Sequence, residues 1–463
     1  MFRKRDTHIH FVGIGGIGMS GIAEVLVNLG YRVTGTDLRD SEVTRRLSRL
    51  GAVIHRGHGE GYLGDADVVV ISSAIPDHNP EVVAARARKI PVIPRAEMLA
   101  ELMRLKQGIA IAGSHGKTTT TSLVSTALHA AGVDPTVVIG GKLNSLGSNA
   151  RLGSSDILVA EADESDGSFL LLNPTIAVIT NIDNEHMDHY GSMEAQLDAF
   201  LGFANRIPFY GISVVCIDDP NVAALVPKLH KRYATYGFTE GADYQASELR
   251  HEGPITKFRV SARGQDLGEF TLHMPGRHNV LNAVATIAVC DDQEVDIEVT
   301  RRALAEFEGV QRRFTVRGTA GGVLVVDDYG HHPTELRATL AGARTSYPQQ
   351  RLIAAFQPHR YTRVRDHLEA FAESLDAADI VVLTDIYRAG EKPIEGVTIE
   401  RLVERTRLRR PGRPVVLVRE FSEVADRLAA LSRPGDVIIT LGAGSITQVS
   451  VELATRLDTL SAS

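Results

Sequence analysis

Short apolar segments alternate with helical patterns along almost the whole chain, and this alternation constrains the fold more than any other feature. His8–Val12, residues 157–160 and Val437–Leu441 are examples, and each is followed by a glycine-rich or polar stretch. Strands that are separated by helices pair in parallel and place those helices on both faces of the sheet. The sequence therefore predicts a doubly wound α/β architecture.

Two breaks in this alternation divide the 463 residues into three predicted domains. The first break lies at Gln107-Gly108 and the second at Gln311-Arg312-Arg313. The predicted domains are residues 1–106, 107–311 and 312–463. Within the second domain, residues 243–274 change to shorter alternating segments with Gly and Pro, which favours antiparallel hairpins at one flank of the sheet.

The composition excludes several classes of protein. Lys and Arg together number 50 against 57 Asp and Glu, so the formal net charge is -7 and we expect no nucleic-acid binding. The two cysteines, Cys216 and Cys290, form no ligand cluster and favour a reducing compartment. Because no apolar stretch reaches the roughly 18 residues of a spanning helix and the N-terminus lacks a cleavable signal, we expect a cytoplasmic protein without a membrane span.

A glycine-rich motif of the form G-x-G-x-x-G follows the first predicted strand. It contains Gly13, Gly15, Gly16, Ile17 and Gly18. Such glycines let the backbone approach a pyrophosphate at a helix N-terminus, and an acidic residue after the next strand, here Asp37, can bind ribose hydroxyls. The motif predicts a ligand that contains a diphosphate and leaves NAD, FAD and UDP open. A tight turn without a ligand is the alternative.

A second loop lies between an apolar strand and a helical pattern. It contains Gly113, Ser114, His115, Gly116, Lys117, Thr118 and Thr119. In such a loop the backbone N–H groups hold phosphates, the lysine neutralises phosphate oxygens, and the first threonine can ligate Mg²⁺. The strict P-loop pattern fails because Ile111 stands where its first glycine belongs. We therefore predict a shortened phosphate loop, with a Gly- and Thr-rich turn of no function as the alternative.

Acidic and imidazole side chains follow two later strands of the same domain. Residues 161–166 read Glu-Ala-Asp-Glu-Ser-Asp, and residues 181–189 contain His186. Ligands of parallel sheets bind at the carboxyl ends of the strands, and Mg²⁺ takes oxygen ligands. The two segments together predict a cation site beside the phosphate loop. A solvated acidic loop and a surface histidine are the alternatives.

A dispersed set of amide, cationic and imidazole residues completes the candidates. Asn279 and Asn282 are three residues apart and would share one face of a helix. The others precede or follow predicted strands of the third domain: Arg313, Asp328, Tyr329, His331, His359, Arg360 and Arg363. Cationic side chains at strand ends suit carboxylate or phosphate oxygens, whereas a surface ion pair is the alternative for each.

The combination of these motifs resembles the Mur ligase family of ATP-dependent amide-forming enzymes. The resemblance is carried by the loop 113–119, the acidic run 161–166, the two asparagines, and Arg313 followed by Asp328. It covers essentially the whole chain. It implies a Rossmann-like first domain, a central α/β domain like those of P-loop ATPases, and a Rossmann-like third domain.

The resemblance also implies a role for each candidate residue. The loop 113–119 would bind the ATP phosphates, with Lys117 on the transferred group, and Mg²⁺ would be held by Thr118, Glu161 and His186. Asn279 and Asn282 would hold the adenine side of ATP, and Arg313 and Asp328 would reach the nucleotide from the third domain. The amino acid and the acyl intermediate would be surrounded by Tyr329, His331, His359, Arg360 and Arg363. The UDP end of a sugar nucleotide would be held by Gly13, Gly15, Gly16, Ile17, Gly18, Asp37, Ser72, Ser73 and Arg95.

The reaction implied by the resemblance is the ATP-dependent ligation of L-alanine to the lactyl carboxylate of UDP-N-acetylmuramate, through an acyl phosphate, in peptidoglycan precursor synthesis. The catalytic residues would be Lys117, Glu161, His186, His331, His359, Arg360 and Arg363. A ligase that reattaches recycled murein peptides to the same sugar nucleotide, an NAD-dependent oxidoreductase and a noncatalytic nucleotide-binding module are the alternatives. A homodimer is one assembly that the sequence leaves open.

Overall fold

The computed structural model describes residues 6–72, 74–139 and 150–461, and their strands form three sheets. Because parallel strands are covered by helices on both faces, their residues are almost continuously apolar, as in the fully buried strands Ile176–Ile179 and Leu352–Phe356. The predicted α/β fold class is confirmed. In the described part of the chain, no helix is long and apolar enough to cross a membrane.

The first sheet has five parallel strands in the order β3-β2-β1-β4-β5. Its strands are β1 (His8–Val12), β2 (Arg32–Asp37), β3 (Val53–Arg56), β4 (Val68–Ile71) and β5 (Val92–Pro94). Its helices are α1 (Ile17–Asn28), α2 (Glu42–Leu50), α3 (Pro80–Ala87) and α4 (Arg95–Met103). After β1 the chain runs to β2 on one side of β1, and β4 later pairs with β1 on its other side. Such a switch in strand order is where ligands of doubly wound sheets bind.

The second sheet has ten strands in the order β15-β14-β13-β12-β11-β10-β6-β9-β7-β8. Its strands are β6 (Gln107–Ala112), β7 (Thr136–Val138), β8 (Ala150–Arg151), β9 (Ile157–Glu161), β10 (Ile176–Ile179), β11 (Ile212–Cys216), β12 (Tyr233–Gly237), β13 (Tyr244–Glu252), β14 (Ile255–Ala262) and β15 (Gln265–Leu272). Its helices are α5 (Lys117–Ala130), α6 (Met187–Tyr190), α7 (Met193–Ala204), α8 (Pro220–Ala223), α9 (Arg277–Asp292) and α10 (Ile297–Ala305). Two-residue connections join β13 to β14 and β14 to β15, as in the predicted hairpins.

The third sheet has six strands in the order β16-β17-β21-β18-β19-β20, and β16 alone among its described pairings is antiparallel to its neighbour. Its strands are β16 (Thr315–Ala320), β17 (Val323–Asp328), β18 (Leu352–Phe356), β19 (Ile380–Thr384), β20 (Val415–Val418) and β21 (Val437–Leu441). Its helices are α11 (Pro333–Ser346), α12 (Tyr361–Ser374), α13 (Ile399–Arg409), α14 (Val424–Leu431) and α15 (Thr447–Ser461).

The described residues fall into two compact units. One comprises residues 1–247, 259–270 and 281–308, and the other comprises residues 248–258, 271–280 and 309–463. The first unit therefore contains both the first sheet and most of the second. The domain boundaries after residues 106 and 311 stay predictions.

The core of the third domain offers a test of the packing. Phe356 on β18 is fully buried, with its ring centroid 5.3 Å from that of Phe371 on α12. Phe356→Ala leaves a cavity that the sheet cannot close, so we expect the free energy of unfolding to fall by about 3–5 kcal/mol. Urea unfolding of the full chain, followed by circular dichroism, measures this change. Val316→Ala is the control, because the Val316 side chain is exposed on β16. An equal loss of unfolding free energy in the two variants would contradict this description of the core.

Candidate active site

Strand register brings three polar segments of the second sheet to one edge. In the pairing of β6 with β9, Ile111 lies opposite Glu161, and in the pairing of β6 with β10, Ala112 lies opposite Ile179. The phosphate loop after β6, the acidic run after β9 and the segment after β10 therefore begin side by side. This is the arrangement that the sequence predicts for a cation site beside a phosphate loop.

Gly113 begins the phosphate loop in a conformation that only glycine adopts without strain. Its φ is +130°, and an added Cβ would lie 2.0 Å from the hydroxyl oxygen of Thr180. The Thr180 hydroxyl donates to the backbone carbonyl of His115 at 2.6 Å. The Asn181 amide accepts from the His115 N–H and donates to the His115 carbonyl, both at 2.9 Å. The segment after β10 thus fixes the shape of the loop.

The Lys117 ammonium lies against the loop. Its Nζ donates to the carbonyl oxygen of Gly113 at 2.5 Å and to Glu164 Oε1 at 2.8 Å. Burial raises the pKa of Glu164 to about 7, against the opposing attraction of Lys117. Burial alone would lower the pKa of Lys117, but attraction to Glu164 outweighs it and raises that pKa. Lys117 therefore stays charged, and a phosphate in the loop would compete with these oxygens for its ammonium.

The three predicted magnesium ligands lie around this lysine. Thr118 is in the first turn of α5, and Glu161, the last residue of β9, is close enough that its charge raises the pKa of Lys117. His186 adopts a left-handed conformation, and its Nε2 lies 3.9 Å from Glu164 Oε1. Carboxylate and hydroxyl oxygens beside one imidazole fit Mg²⁺. Their assignment as its ligands stays a prediction.

The two predicted adenine-side asparagines are both buried on α9. Asn282 Oδ1 accepts from the Thr120 hydroxyl of α5 at 3.1 Å, so Asn282 lies behind the phosphate loop. Asn279 donates to the carbonyl of Pro275 at 2.7 Å. The three-residue spacing on one helix accounts for the burial of both side chains. Their contact with adenine stays a prediction.

The glycine-rich loop between β1 and α1 is held by the end of β2. Asp37 Oδ2 accepts from the N–H of Gly15 at 2.9 Å, and Gly13 has a positive φ of +78°. Ser72 follows β4 directly, at the same sheet edge. Gly16 and Ile17 form the start of α1. Ser73 lies outside the described residues.

Arg95 connects the glycine-rich loop to the acidic run. An added Cβ on Gly18 would lie 2.1 Å from Arg95 Nη1, so the guanidinium lies against the first turn of α1. Arg95 Nη2 donates to Asp163 Oδ2 at 2.8 Å. Burial raises the pKa of Asp163, but a hydrogen bond from Ser165 and the charge of Arg95 outweigh it and lower that pKa. The residues predicted to bind the sugar nucleotide thus touch the acidic run.

The predicted amino-acid site of the third domain is a cluster of rings and cations. The ring centroid of His331 lies 5.1 Å from that of Tyr329 and 5.9 Å from that of His359. Arg363 Nη1 lies 3.4 Å from His359 Nδ1. Arg360 is exposed at the N-terminus of α12 with a φ of +71°. The structure therefore brings all five predicted residues to one end of the third sheet.

The two residues predicted to reach the nucleotide lie at the beginning of this domain. The Arg313 guanidinium lies 5.4 Å from the Tyr329 ring centroid and 3.5 Å from Glu335 Oε1. Asp328 is buried, and its carboxylate accepts from the N–H groups of Phe314 and Gly330, both at 2.8 Å. Burial raises its pKa. Asp328 therefore links the residue before β16 to the loop after β17.

Sequence reasoning gave no individual role to several residues that shape these sites, although Glu164 and Asn181 lie in segments that it singled out. Glu164, Thr180 and Asn181 hold the phosphate loop, and Glu335 lies 3.3 Å from His331 Nδ1. Thr180 and Asn181 follow β10 directly, so their position at the carboxyl end of a strand was an available signal. Glu335 is one helical turn after His331, which is the spacing of side chains in contact.

The lowered pKa values of His331 and His359 make the stability of the fold depend on pH. Burial, followed by the charge of Arg363, lowers the pKa of His359 to about 4, and burial lowers the pKa of His331 to about 3. Both pKa values lie below about 6.5 in the unfolded chain, so unfolding binds protons below that pH and stability falls as the pH falls.

We expect the double variant His331→Gln/His359→Gln to lose less stability than the wild type between pH 6.5 and pH 4.5. Urea unfolding at several pH values measures the difference, and His129→Gln on an exposed helix end is the control. An unchanged pH dependence in the double variant would show that these imidazoles are not buried as described.

Comparisons with known proteins agree with this geometry. Residues 8–107 match the domain described as Mur ligase family, catalytic domain, residues 111–290 match the Mur ligase middle domain, and residues 312–444 match the Mur ligase, glutamate ligase domain. A protein of Geotalea daltonii named UDP-N-acetylmuramate--L-alanine ligase is 58% identical over 450 residues, which is 97% of this chain and 98% of that protein. A protein of the same name from Myxococcus xanthus is 56% identical over 99% of this chain and 97% of its own length.

Among solved structures, the UDP-N-acetylmuramate-alanine ligase of Thermotoga maritima has a TM-score of 0.82 at 31% identity and covers 98% of this chain and 99% of its own. A murein peptide ligase of Psychrobacter arcticus has the same fold, with a TM-score of 0.70 at 24% identity over 98% of this chain and 99% of its own. The three matched domains together span most of the chain, in the order of the three sheets. The chain belongs to the Mur ligase family.

Proposed function

We propose that this chain uses ATP to join L-alanine to the lactyl carboxylate of UDP-N-acetylmuramate, in the cytoplasm, as a step of peptidoglycan precursor synthesis. The observation that carries the proposal is the phosphate loop, in which the charged Lys117 is held among loop carbonyls and Glu164. The activity named for the relatives from Geotalea daltonii and Myxococcus xanthus supports the choice of substrates.

The reaction needs ATP because a carboxylate does not condense with an amine in neutral water. In the proposed sequence, the lactyl carboxylate attacks the γ-phosphorus of ATP and gives an acyl phosphate and ADP. The alanine amine then attacks the acyl carbon, and the tetrahedral intermediate releases phosphate. Charge spreads over the phosphoryl oxygens in the first step, so catalysis depends on a cation fixed in position, which is the role of Lys117.

The residues around Lys117 complete the proposed ATP site. Thr118, Glu161 and His186 would hold Mg²⁺, which neutralises phosphate oxygens when it is bound. The N–H groups of Ser114 and His115 already donate to Asn181, so the N–H groups at the start of α5 would receive the phosphate oxygens. Because the loop is already shaped by the segment after β10, little reorganisation is needed when ATP binds.

The first domain would hold the UDP end of the sugar nucleotide. The glycine-rich loop presents the N-terminus of α1, where N–H groups and the helix dipole favour a diphosphate. The Arg95 guanidinium lies against Gly18 in that turn and adds a positive charge. These features suit a diphosphate, and the activity named for the relatives supports UDP among the ligands that the sequence leaves open.

The ring and cation cluster of the third domain would bind the amino acid. The Arg360 and Arg363 guanidinium groups suit its carboxylate. His331 and His359 are neutral at pH 7 because their pKa values are lowered to about 3 and about 4, chiefly by burial. A neutral imidazole does not repel the alanine ammonium, and it can accept a hydrogen bond from it.

Phosphate release measured with ATP, UDP-N-acetylmuramate and L-alanine, and with each omitted in turn, tests the proposal. We expect sustained release only when all three are present. Release with ATP alone would indicate a nucleotide-binding module with basal hydrolysis. A tripeptide in place of alanine tests the recycling ligase, and a preference for the tripeptide would replace our proposal with that one.

Lys117→Ala tests the phosphate loop directly. The variant loses the ammonium that balances charge on the transferred group, and we expect turnover to fall by at least about a hundredfold. Circular dichroism checks that the sheets remain. Lys257→Ala, in the exposed ion pair with Glu252 on β13 and β14, is the matched control and should keep wild-type turnover. Near-normal turnover of Lys117→Ala would show that this loop does not hold the transferred phosphate of ATP.

A further inference from the structure

A buried polar network lies within the first domain, and no step above uses it. We call it the histidine network, and it comprises His8, His10, Thr34, Thr36, His58, Asp65 and Glu81. Asp65 is exposed at the edge of the network, whereas His10 and Glu81 are both 0% exposed. Burying a carboxylate this deeply is costly unless hydrogen bonds compensate it, so the network needs a physical reason.

Glu81 is the centre of the network. Its two carboxylate oxygens accept from His10 Nε2 at 2.8 Å, from the Thr36 hydroxyl at 2.8 Å, from His58 Nδ1 at 2.9 Å and from the Gly59 N–H at 3.1 Å. These donors come from β1, β2 and the segment before β4, while Glu81 itself lies in the first turn of α3. Glu81 thus ties the end of β2 to three other parts of the domain.

The end of β2 in turn fixes the glycine-rich loop. The carbonyl oxygen of Thr36 accepts from the N–H of Gly13 at 2.8 Å and from the N–H of Ile14 at 2.9 Å. The neighbouring Asp37 accepts from the N–H of Gly15 at 2.9 Å. Three successive N–H groups of the loop are therefore positioned by two residues, one of which is anchored through its hydroxyl to Glu81.

We propose that Glu81 is a positioning residue for the sugar nucleotide: it anchors the Thr36 hydroxyl and so sets the glycine-rich loop for the UDP diphosphate. This inference rests on the proposed function, because it takes the loop as the UDP site.

Thr36→Val and Glu81→Gln test the anchor. The first replaces the hydroxyl with a methyl group of similar size, and the second removes the charge while keeping the shape. We expect the Kd for UDP-N-acetylmuramate, measured by calorimetry without ATP, to rise about tenfold in each. The Kd for an ATP analogue and kcat at saturating sugar nucleotide should change much less. Thr36→Ser keeps the hydroxyl and should restore the affinity.

A matched control separates this effect from the general cost of changing a buried threonine. Thr406 on α13 is also fully buried and donates to a carbonyl of its own helix, so Thr406→Val should leave the Kd unchanged. Wild-type affinity in both Thr36→Val and Glu81→Gln would overturn the inference. If the wild type itself does not bind UDP-N-acetylmuramate, the proposed function fails instead.

Discussion

The pairing of β6 with β9 on one side and β10 on the other is the constraint on which the rest of the site depends. Parallel pairing places the carboxyl ends of these strands at one edge, and the observed register puts Ile111 opposite Glu161. A slip of one residue would turn every side chain of a strand to the other face. The buried apolar faces of three short strands therefore determine that a phosphate loop, an acidic run and a histidine meet.

In each of the three domains, a polar side chain forms hydrogen bonds with the backbone of a loop at the edge of the sheet. Asn181 holds the phosphate loop, and Asp37 holds the glycine-rich loop through the N–H of Gly15. The third domain repeats the pattern, since Asp328 accepts from the backbone N–H groups of Phe314, before β16, and of Gly330, after β17. Side chains that accept from backbone N–H groups fix the shape of a loop before a ligand arrives, which reduces the entropy lost on binding.

The sequence predicted most strands of the fold because buried parallel strands are short apolar runs. The helical pattern directly after the phosphate loop is weak in the sequence, although α5 begins at Lys117. Four consecutive threonines at 118–121 obscure the helical pattern, because β-branched residues are poor helix formers. The motifs gave the candidate residues, but the contact of Arg95 with Asp163 joins segments 68 residues apart. No local pattern predicts such a pair. The burial of Glu81 also depends on partners that are distant in sequence, His10 on β1 and Thr36 on β2.

The central claim is that this site turns an inert carboxylate into a mixed anhydride with phosphate before the amine attacks. UDP-N-acetylmuramate labelled with oxygen-18 in the lactyl carboxylate, incubated with the enzyme, ATP and L-alanine, tests it most directly. Mass spectrometry of the inorganic phosphate should find one labelled oxygen for each amide formed. Phosphate without the label, alongside normal amide formation, would contradict the account.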